Sequence, residues 1–138
     1  MKHEDKDLLL KDLCARMPYN PLVEYKGESY NVLGIAHGRL VLCKPFMSYT
    51  LKENPLVEEA KPYLFPLSSM TEEQLKDVKA SLHQELIDIY ENGSEERKVP
   101  EYPQTWYYVQ DWYNAHHFDY RGLIEKGLAI DATGLNIY

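Results

Sequence analysis

The stretch LVEYKGESYNVLGIAHGRLVLCK, residues 22–44, decides the fold of this chain. It is rich in β-branched and aromatic side chains, and the dipeptides Lys26-Gly27 and His37-Gly38 interrupt it. Glycine at the second position of a tight turn accepts the positive φ that a two-residue hairpin requires. The pattern therefore predicts a three-stranded antiparallel meander, in which Gly38 is a structural residue of the second turn.

The residues that follow the meander are interrupted by prolines at positions 45, 55, 62 and 66. Proline cannot donate a ladder hydrogen bond, so strands near 46–51 and 62–66 should be short or lie at an edge. Residues 20–67 are therefore predicted to form a small, bent antiparallel sheet. An SH3-like partial barrel is one form that such a sheet could take.

Two helices are predicted from apolar spacing before residue 90. In residues 5–17 leucines recur at helical intervals, with Asp5 or Asp7 as the cap and Pro18 after the end. In the second helix, Thr71 and Gln74 have the spacing of a capping box. Its apolar stripe consists of Leu75, Val78, Leu82, Leu86 and Ile89, and Gly93 is expected to end it.

The C-terminal part should add one or two more helices. A polar linker near 93–103 precedes a helix predicted for 103–115. A short helix from Tyr120 to Lys126 would be capped by Asp119 and ended by Gly127, which completes a helical region over 71–127. We therefore expect one α+β domain, residues 1–138, with three to four helices packed on the sheet.

The charge distribution limits the class of partner. The net charge is −7, and residues 71–102 carry nine acidic side chains against four basic ones. Non-specific binding to nucleic acid needs clustered Lys and Arg, which no segment provides, so it is not expected. The N-terminus has charges on both sides of a three-residue apolar run, unlike a signal peptide or a membrane span. With Cys14 and Cys43 in apolar settings, a reduced, cytoplasmic protein is predicted.

Three segments resemble a known group of proteins: VEYKGESYNVLGI, SYTLKENPLVEEAKPYLFPLSSMTEEQ and DWYNAHHFDYRGLIEKGLAIDA. Together they make the chain similar, over roughly residues 22–75 and 111–135, to small uncharacterised phage- and prophage-encoded proteins of anaerobic gut bacteria. The strings KPYLFPLSSMTEE and FDYRGLIEKGLA are the most distinctive. The resemblance implies a genomic setting rather than a reaction: an accessory protein of a phage or mobile element, made inside a bacterial host cell.

The strongest cluster of chemically active residue types is HHFDYR, residues 116–121. His116, His117 and Asp119 are residue types that bind zinc or manganese. Adjacent histidines point in different directions on a helix or a strand, however, so both rarely bind one ion. We therefore favour a structural corner in which Asp119 caps the last helix, an asparagine could replace it, and there is no metal site and no cofactor.

Aromatic side chains are concentrated next to this corner. The segment TWYYVQDWYNAHHFDY contains two Trp, four Tyr, one Phe and two His. A core explains some of these side chains but not readily all of them. The remainder predict a binding surface formed by Trp112, Tyr113, His116, His117, Tyr120 and Arg121.

Three functions remain open at this point, and the balance favours a protein that is not an enzyme. The first is a non-enzymatic accessory factor that binds a host or phage protein, with counter-defence as one such role. The second is a small-ligand binder, such as a nucleotide sponge that uses the aromatic cluster and Arg121. The third is a metal-dependent hydrolase that uses His116, His117 and Asp119.

Overall fold

The computed structural model describes residues 1–45, 49–80 and 104–138. For residues 104–108 it describes the main chain but not the side chains. Its helices and strands, in chain order, are α1 (His3–Arg16), β1 (Leu22–Tyr25), β2 (Glu28–Ala36), β3 (Arg39–Cys43), β4 (Lys61–Pro66), α2 (72–80), α3 (Gln104–Ala115), β5 (Phe118–Asp119) and β6 (Ile130–Asp131). Single turns of 3-10 helix lie at Met17–Tyr19, Val57–Glu59 and Leu67–Ser69. The chain thus has the predicted α+β fold. None of the described helices is both long and apolar enough to cross a membrane.

The meander of β1, β2 and β3 is antiparallel, as predicted. Both turns have positive φ at both central residues, 50° and 80° at Lys26 and Gly27, and 53° and 72° at His37 and Gly38. Positive φ at both central positions is typical of the type I′ turn, whose twist matches that of the flanking strands. A register shift between Val32 and Gly34 places a bulge in β2, and a bulge bends the strand that carries it.

The sheet is mixed rather than wholly antiparallel, which corrects the prediction. Its order is β3-β2-β1-β4-β5, with β6 also paired to β4. β4 runs antiparallel to β1 but parallel to β5 and β6. The two end strands of this path do not pair, so the sheet is open. β5 and β6 have two residues each, too few for an alternating pattern to reveal them.

The segment around residues 50–56 covers the outer edge of β3. Leu40 donates a main-chain hydrogen bond to Pro55 (2.8 Å), and Leu51 donates one to Leu42 (2.8 Å). Of the strand predicted near 46–51, residues 46–48 lie outside the described part, and Thr50 forms a single bridge with Cys43. The strand predicted at 62–66 is present as β4, but it lies between β1 and β5 rather than at an edge of the sheet.

α1 and α3 lie within two residues of the predicted bounds, although no side chain caps α1 at its N-cap residue, Lys2. The cap predicted at Asp5 or Asp7 is therefore wrong. The capping box of α2 is present, since Gln74 and Thr71 each donate a main-chain hydrogen bond to the other's side chain (3.1 and 2.9 Å).

The apolar stripe predicted for α2 is described only at its start. Val78 is buried, whereas Leu75 is 45% exposed. The stripe residues Leu82, Leu86 and Ile89, the stop at Gly93 and the linker near 93–103 lie outside the described residues.

The helix predicted from Tyr120 to Lys126 is wrong. Gly122 has a φ of 75°, a left-handed conformation that interrupts a right-handed helix. A single turn follows, closed by hydrogen bonds from Gly127 to the carbonyl of Ile124 (3.0 Å) and from Leu128 to that of Leu123 (2.9 Å). This is the Schellman arrangement, so Gly127 ends a turn in the expected way although no helix precedes it.

The main core lies between α1 and one face of the sheet. Leu9 and Leu13 of α1 pack with strand residues such as Val23 and Leu42, and Leu123 of the C-terminal turn joins them. A second cluster joins Trp112 and Phe118 to residues of α2 and β4. The C-terminal segment is thus anchored in both clusters, through Leu123 in the first and Phe118 in the second, which determines where the predicted site residues lie.

Candidate functional site

Asp119 forms the corner that the sequence predicts, through a different set of hydrogen bonds. Its carboxylate is buried and accepts the main-chain amides of Leu123 and Ile124, one on each oxygen, both at 2.9 Å. The amides lie four and five residues ahead because the left-handed Gly122 delays the turn. Both carboxylate oxygens therefore stabilise the main chain.

The two adjacent histidines face different neighbours. The His116 ring stacks on Trp112, with ring centroids 3.9 Å apart. The His117 ring stacks on Tyr138 at 3.6 Å, and His117 has a left-handed φ of 63°. Their rings are therefore directed to different parts of the C-terminal region. Among the described residues, no group of three His, Cys, Asp or Glu side chains is placed to hold a metal ion.

Among the described residues of this segment, the aromatic side chains pack against one another. Trp112 is 9% exposed, stacks on Phe118 (5.7 Å) and donates from Nε1 to Asp77 of α2 (3.1 Å). Tyr113 contacts Trp112 and stacks on Tyr120 (5.6 Å). All five rings of the predicted binding surface thus contact other rings: Trp112, Tyr113, His116, His117 and Tyr120.

His117 is held neutral by its surroundings. Burial first, and then the positive charge of Arg16, lowers the pKa of His117 from 6.5 to about 4. Its Nδ1 is buried and has no hydrogen-bond partner among the described residues. Its stacking partner Tyr138 donates from its hydroxyl to the carbonyl of Tyr63 (2.9 Å) and accepts the Leu22 amide (3.1 Å). Burial raises the pKa of Tyr138 to about 12.

A buried carboxylate shared by two arginines lies beneath this region. Arg16 donates to both oxygens of Asp12 (2.8 and 3.0 Å), and neither side chain is exposed. Arg16 also donates to the carbonyl of Phe118 (2.6 Å), which fixes β5 to α1. Arg121 donates from Nη1 to the same Asp12 (2.9 Å). We call Asp12, Arg16 and Arg121 the arginine cluster.

The arginine cluster supports the floor of a groove between the end of α1 and α3. Both guanidinium groups lie over the ring of Tyr120, at 5.4 Å for Arg16 and 4.4 Å for Arg121. The groove has a volume of about 230 Å³. It is lined by Ala15, Pro18, Gln110, Asp111, Asn114, Tyr120 and Arg121.

The structure thus separates the predicted binding residues into two sets. Tyr120 and Arg121 line the groove, whereas Trp112, Tyr113, His116 and His117 do not line it. Asp12 and Arg16 were not predicted as site residues; their signal is an acidic and a basic residue four apart on an otherwise apolar helix face. Gln110, Asp111 and Asn114 were not predicted either, because no motif distinguishes them.

Comparison of the chain with protein-family models, with curated proteins and with solved structures finds no match in any of the three.

Proposed function

We propose that the protein is a non-enzymatic accessory factor of a phage or mobile element, which binds a host or phage protein inside the bacterial cell. The binding surface is the groove between α1 and α3. Counter-defence is one role that such a factor would serve. The genomic setting comes from the sequence resemblance, and the choice of binding over catalysis comes from the groove and the corner.

One observation carries the proposal: the corner residues with catalytic potential are held by contacts within the fold, whereas part of the groove lining is exposed and has polar side chains. Both Asp119 oxygens accept main-chain amides, and the His116 and His117 rings are stacked. On α3, Gln110 and Asp111 are at least partly exposed and line the groove. A partner can therefore meet polar groups there without disturbing the core.

Photo-crosslinking in host cells tests this function. A photoreactive amino acid at Gln110 should give a specific cross-linked protein, whereas the same amino acid at Lys52, an exposed residue outside the groove, should not. Ala15→Trp fills the groove with a large side chain, and in that background the Gln110 product should disappear. Identical products from both positions, or no product from Gln110, would exclude the groove as a protein-binding surface.

A second function is favoured by Arg121, since a guanidinium beside an aromatic ring suits a nucleotide phosphate. On this alternative the protein sequesters a small nucleotide signal in the same groove. A panel of nucleotides should then raise the melting temperature, because a ligand at one hundred times its Kd adds about 2.7 kcal/mol of stability. No shift with any nucleotide would eliminate this alternative.

A further inference from the structure

The arginine cluster carries more positive than negative charge. Asp12 supplies one carboxylate for two guanidinium groups, and it binds Arg16 through two hydrogen bonds but Arg121 through one. Arg16 is fully buried, whereas the Arg121 side chain is 14% exposed and lines the groove. The positive charge that Asp12 leaves unbalanced is therefore accessible at Arg121.

Arg121 is also held in a fixed orientation with unused donors. Its guanidinium lies 4.4 Å from the centre of the Tyr120 ring, and Asn114 accepts the Tyr120 hydroxyl (2.9 Å). Within the described part of the chain, its only hydrogen bond is the one from Nη1 to Asp12. A guanidinium has five N–H donors in a planar fork, which matches the geometry of a carboxylate or phosphate.

Asp111 decides which of these two anions the groove favours. It is the other charged side chain of the groove, and the Tyr19 hydroxyl donates a hydrogen bond to its Oδ1. The Asp111 carboxylate repels any anion in the groove, and it repels a polyphosphate, which has several charges, more than a single carboxylate. A carboxylate oxygen can also accept the amide N–H that flanks an acidic side chain in a peptide.

The size of the groove leads to the same choice. Pockets for drug-sized ligands and cofactors span roughly 300–1,000 Å³. The groove, at about 230 Å³, is smaller than that range and suits one side chain better than a whole nucleotide.

We propose that the groove recognises a single acidic side chain, Asp or Glu, of the partner protein. Arg121 binds its carboxylate, Asp111 accepts a main-chain amide beside it, and the Gln110 side chain hydrogen-bonds to the adjoining peptide. This inference rests on the proposed function, because it takes the groove to be the surface that meets a partner.

Nuclear magnetic resonance titration of the full ¹⁵N-labelled chain tests the proposal with four probes. These are N-acetyl-glutamate methylamide, its neutral glutamine analogue, inorganic phosphate and adenosine monophosphate. The glutamate probe should shift the Nε–H resonance of Arg121 and the amides of Ala15 and Asn114 in a saturable manner. It should bind at least tenfold more tightly than the glutamine analogue, because only a carboxylate forms a charge-assisted pair.

Three variants separate the site from general charge effects. Ala15→Trp blocks the groove and retains the arginine cluster, so it should abolish the shifts. Arg121→Lys keeps the charge and loses the fork, and should weaken binding of the glutamate probe at least fivefold. Lys126→Gln removes an exposed positive charge that does not line the groove, and this variant should bind the probe as wild type does. If Arg121→Lys does not fold, the Ala15→Trp comparison still decides the result.

The proposal is overturned by any of three results: equal binding of the glutamate and glutamine probes, unchanged shifts in Ala15→Trp, or tighter binding of phosphate or the nucleotide. The last result would support the nucleotide alternative instead. Glutamate-specific shifts without a cross-linked protein in cells would remove the protein-binding function and leave the carboxylate site. Cross-linking without a glutamate preference would remove the carboxylate site and leave the protein-binding function.

Discussion

Asp12 and Arg16 lie one helical turn apart on α1 and form a doubly hydrogen-bonded ion pair from which solvent is excluded. A buried ion pair contributes little beyond what apolar residues would provide, but removal of one partner leaves an uncompensated charge. Here the removal of the Asp12 charge would leave two positive charges without their carboxylate, those of Arg16 and Arg121. The pair therefore makes the attachment of the C-terminal segment sensitive to a single substitution.

Asp12→Asn should lower the free energy of unfolding by about 3–5 kcal/mol, because it leaves Arg16 buried without a counter-charge. The double variant Asp12→Leu/Arg16→Met removes both charges and should be less destabilised than Asp12→Asn. Urea denaturation at neutral pH measures both. If the double variant were the less stable of the two, the hydrogen bonds of the pair would outweigh the isolated charge.

Gly38→Val should cost about 1–2 kcal/mol of stability, because Gly38 has a φ of 72° and a side chain in left-handed backbone is strained. A Cβ at Gly38 would contact nothing within 4 Å, so the loss would come from the backbone alone. Gly34→Ala is the matched control, since its Cβ would meet Val41 at an ordinary 3.8 Å. Thermal denaturation should show a larger loss for Gly38→Val, and equal losses would contradict the turn assignment.

Asp119→Ala should cost about 2 kcal/mol or more, because two main-chain amides lose their acceptor. Asp119→Asn retains one acceptor oxygen and places an NH₂ donor against the other amide, so it should lose about 1 kcal/mol. This differs from the sequence-based expectation that asparagine would be tolerated. Chemical denaturation of the two variants measures the difference, and a neutral Asp119→Asn would mean that only one of the amides needs the side chain.

The protein should become less stable as the pH decreases, because of His117. Its pKa is about 4 in the folded protein and 6.5 as the reference value, so the unfolded chain binds the proton first as the pH decreases. Above the upper value the ring is neutral in both states and costs nothing. Between the two values folding becomes progressively less favourable, by up to about 3 kcal/mol in total.

His117→Asn isolates this effect, since asparagine tolerates the left-handed φ at that position and does not titrate. The loss of stability between about pH 7 and about pH 5 should be smaller in the variant than in wild type. Urea denaturation across this window provides the comparison. Parallel pH profiles for the two proteins would mean that folding does not lower the pKa of His117.

The meander could be predicted because its signals are local. Lys26-Gly27 and His37-Gly38 mark two-residue turns between strands long enough to show a pattern. The same holds for Thr71 and Gln74, which form their capping box within one turn. The parallel partners of β4 could not be predicted, since each has two residues and depends on contacts with distant parts of the chain.

The candidate site was only partly predictable for a related reason. Tyr120 and Arg121 were identified by residue type, but the aromatic set around them did not distinguish packed rings from exposed ones. The groove depends on Asp12, which is far from Arg121 in sequence and meets it only in the fold. The helix predicted after Asp119 failed because Gly122 adopts a conformation that no residue spacing reveals.

The position of β4 between strands from both ends of the chain has a consequence for the order of folding. The hairpins of β1, β2 and β3 close short loops and can form early, whereas β4 meets β5 and β6, which lie far along the chain, only once that part of the chain is present. On a ribosome, the meander would be complete while both parallel partners of β4 were still to be synthesised. Until they arrive, the hydrogen-bonding groups that β4 will offer to them face water, and the nascent chain depends on α1 and the meander for its stability.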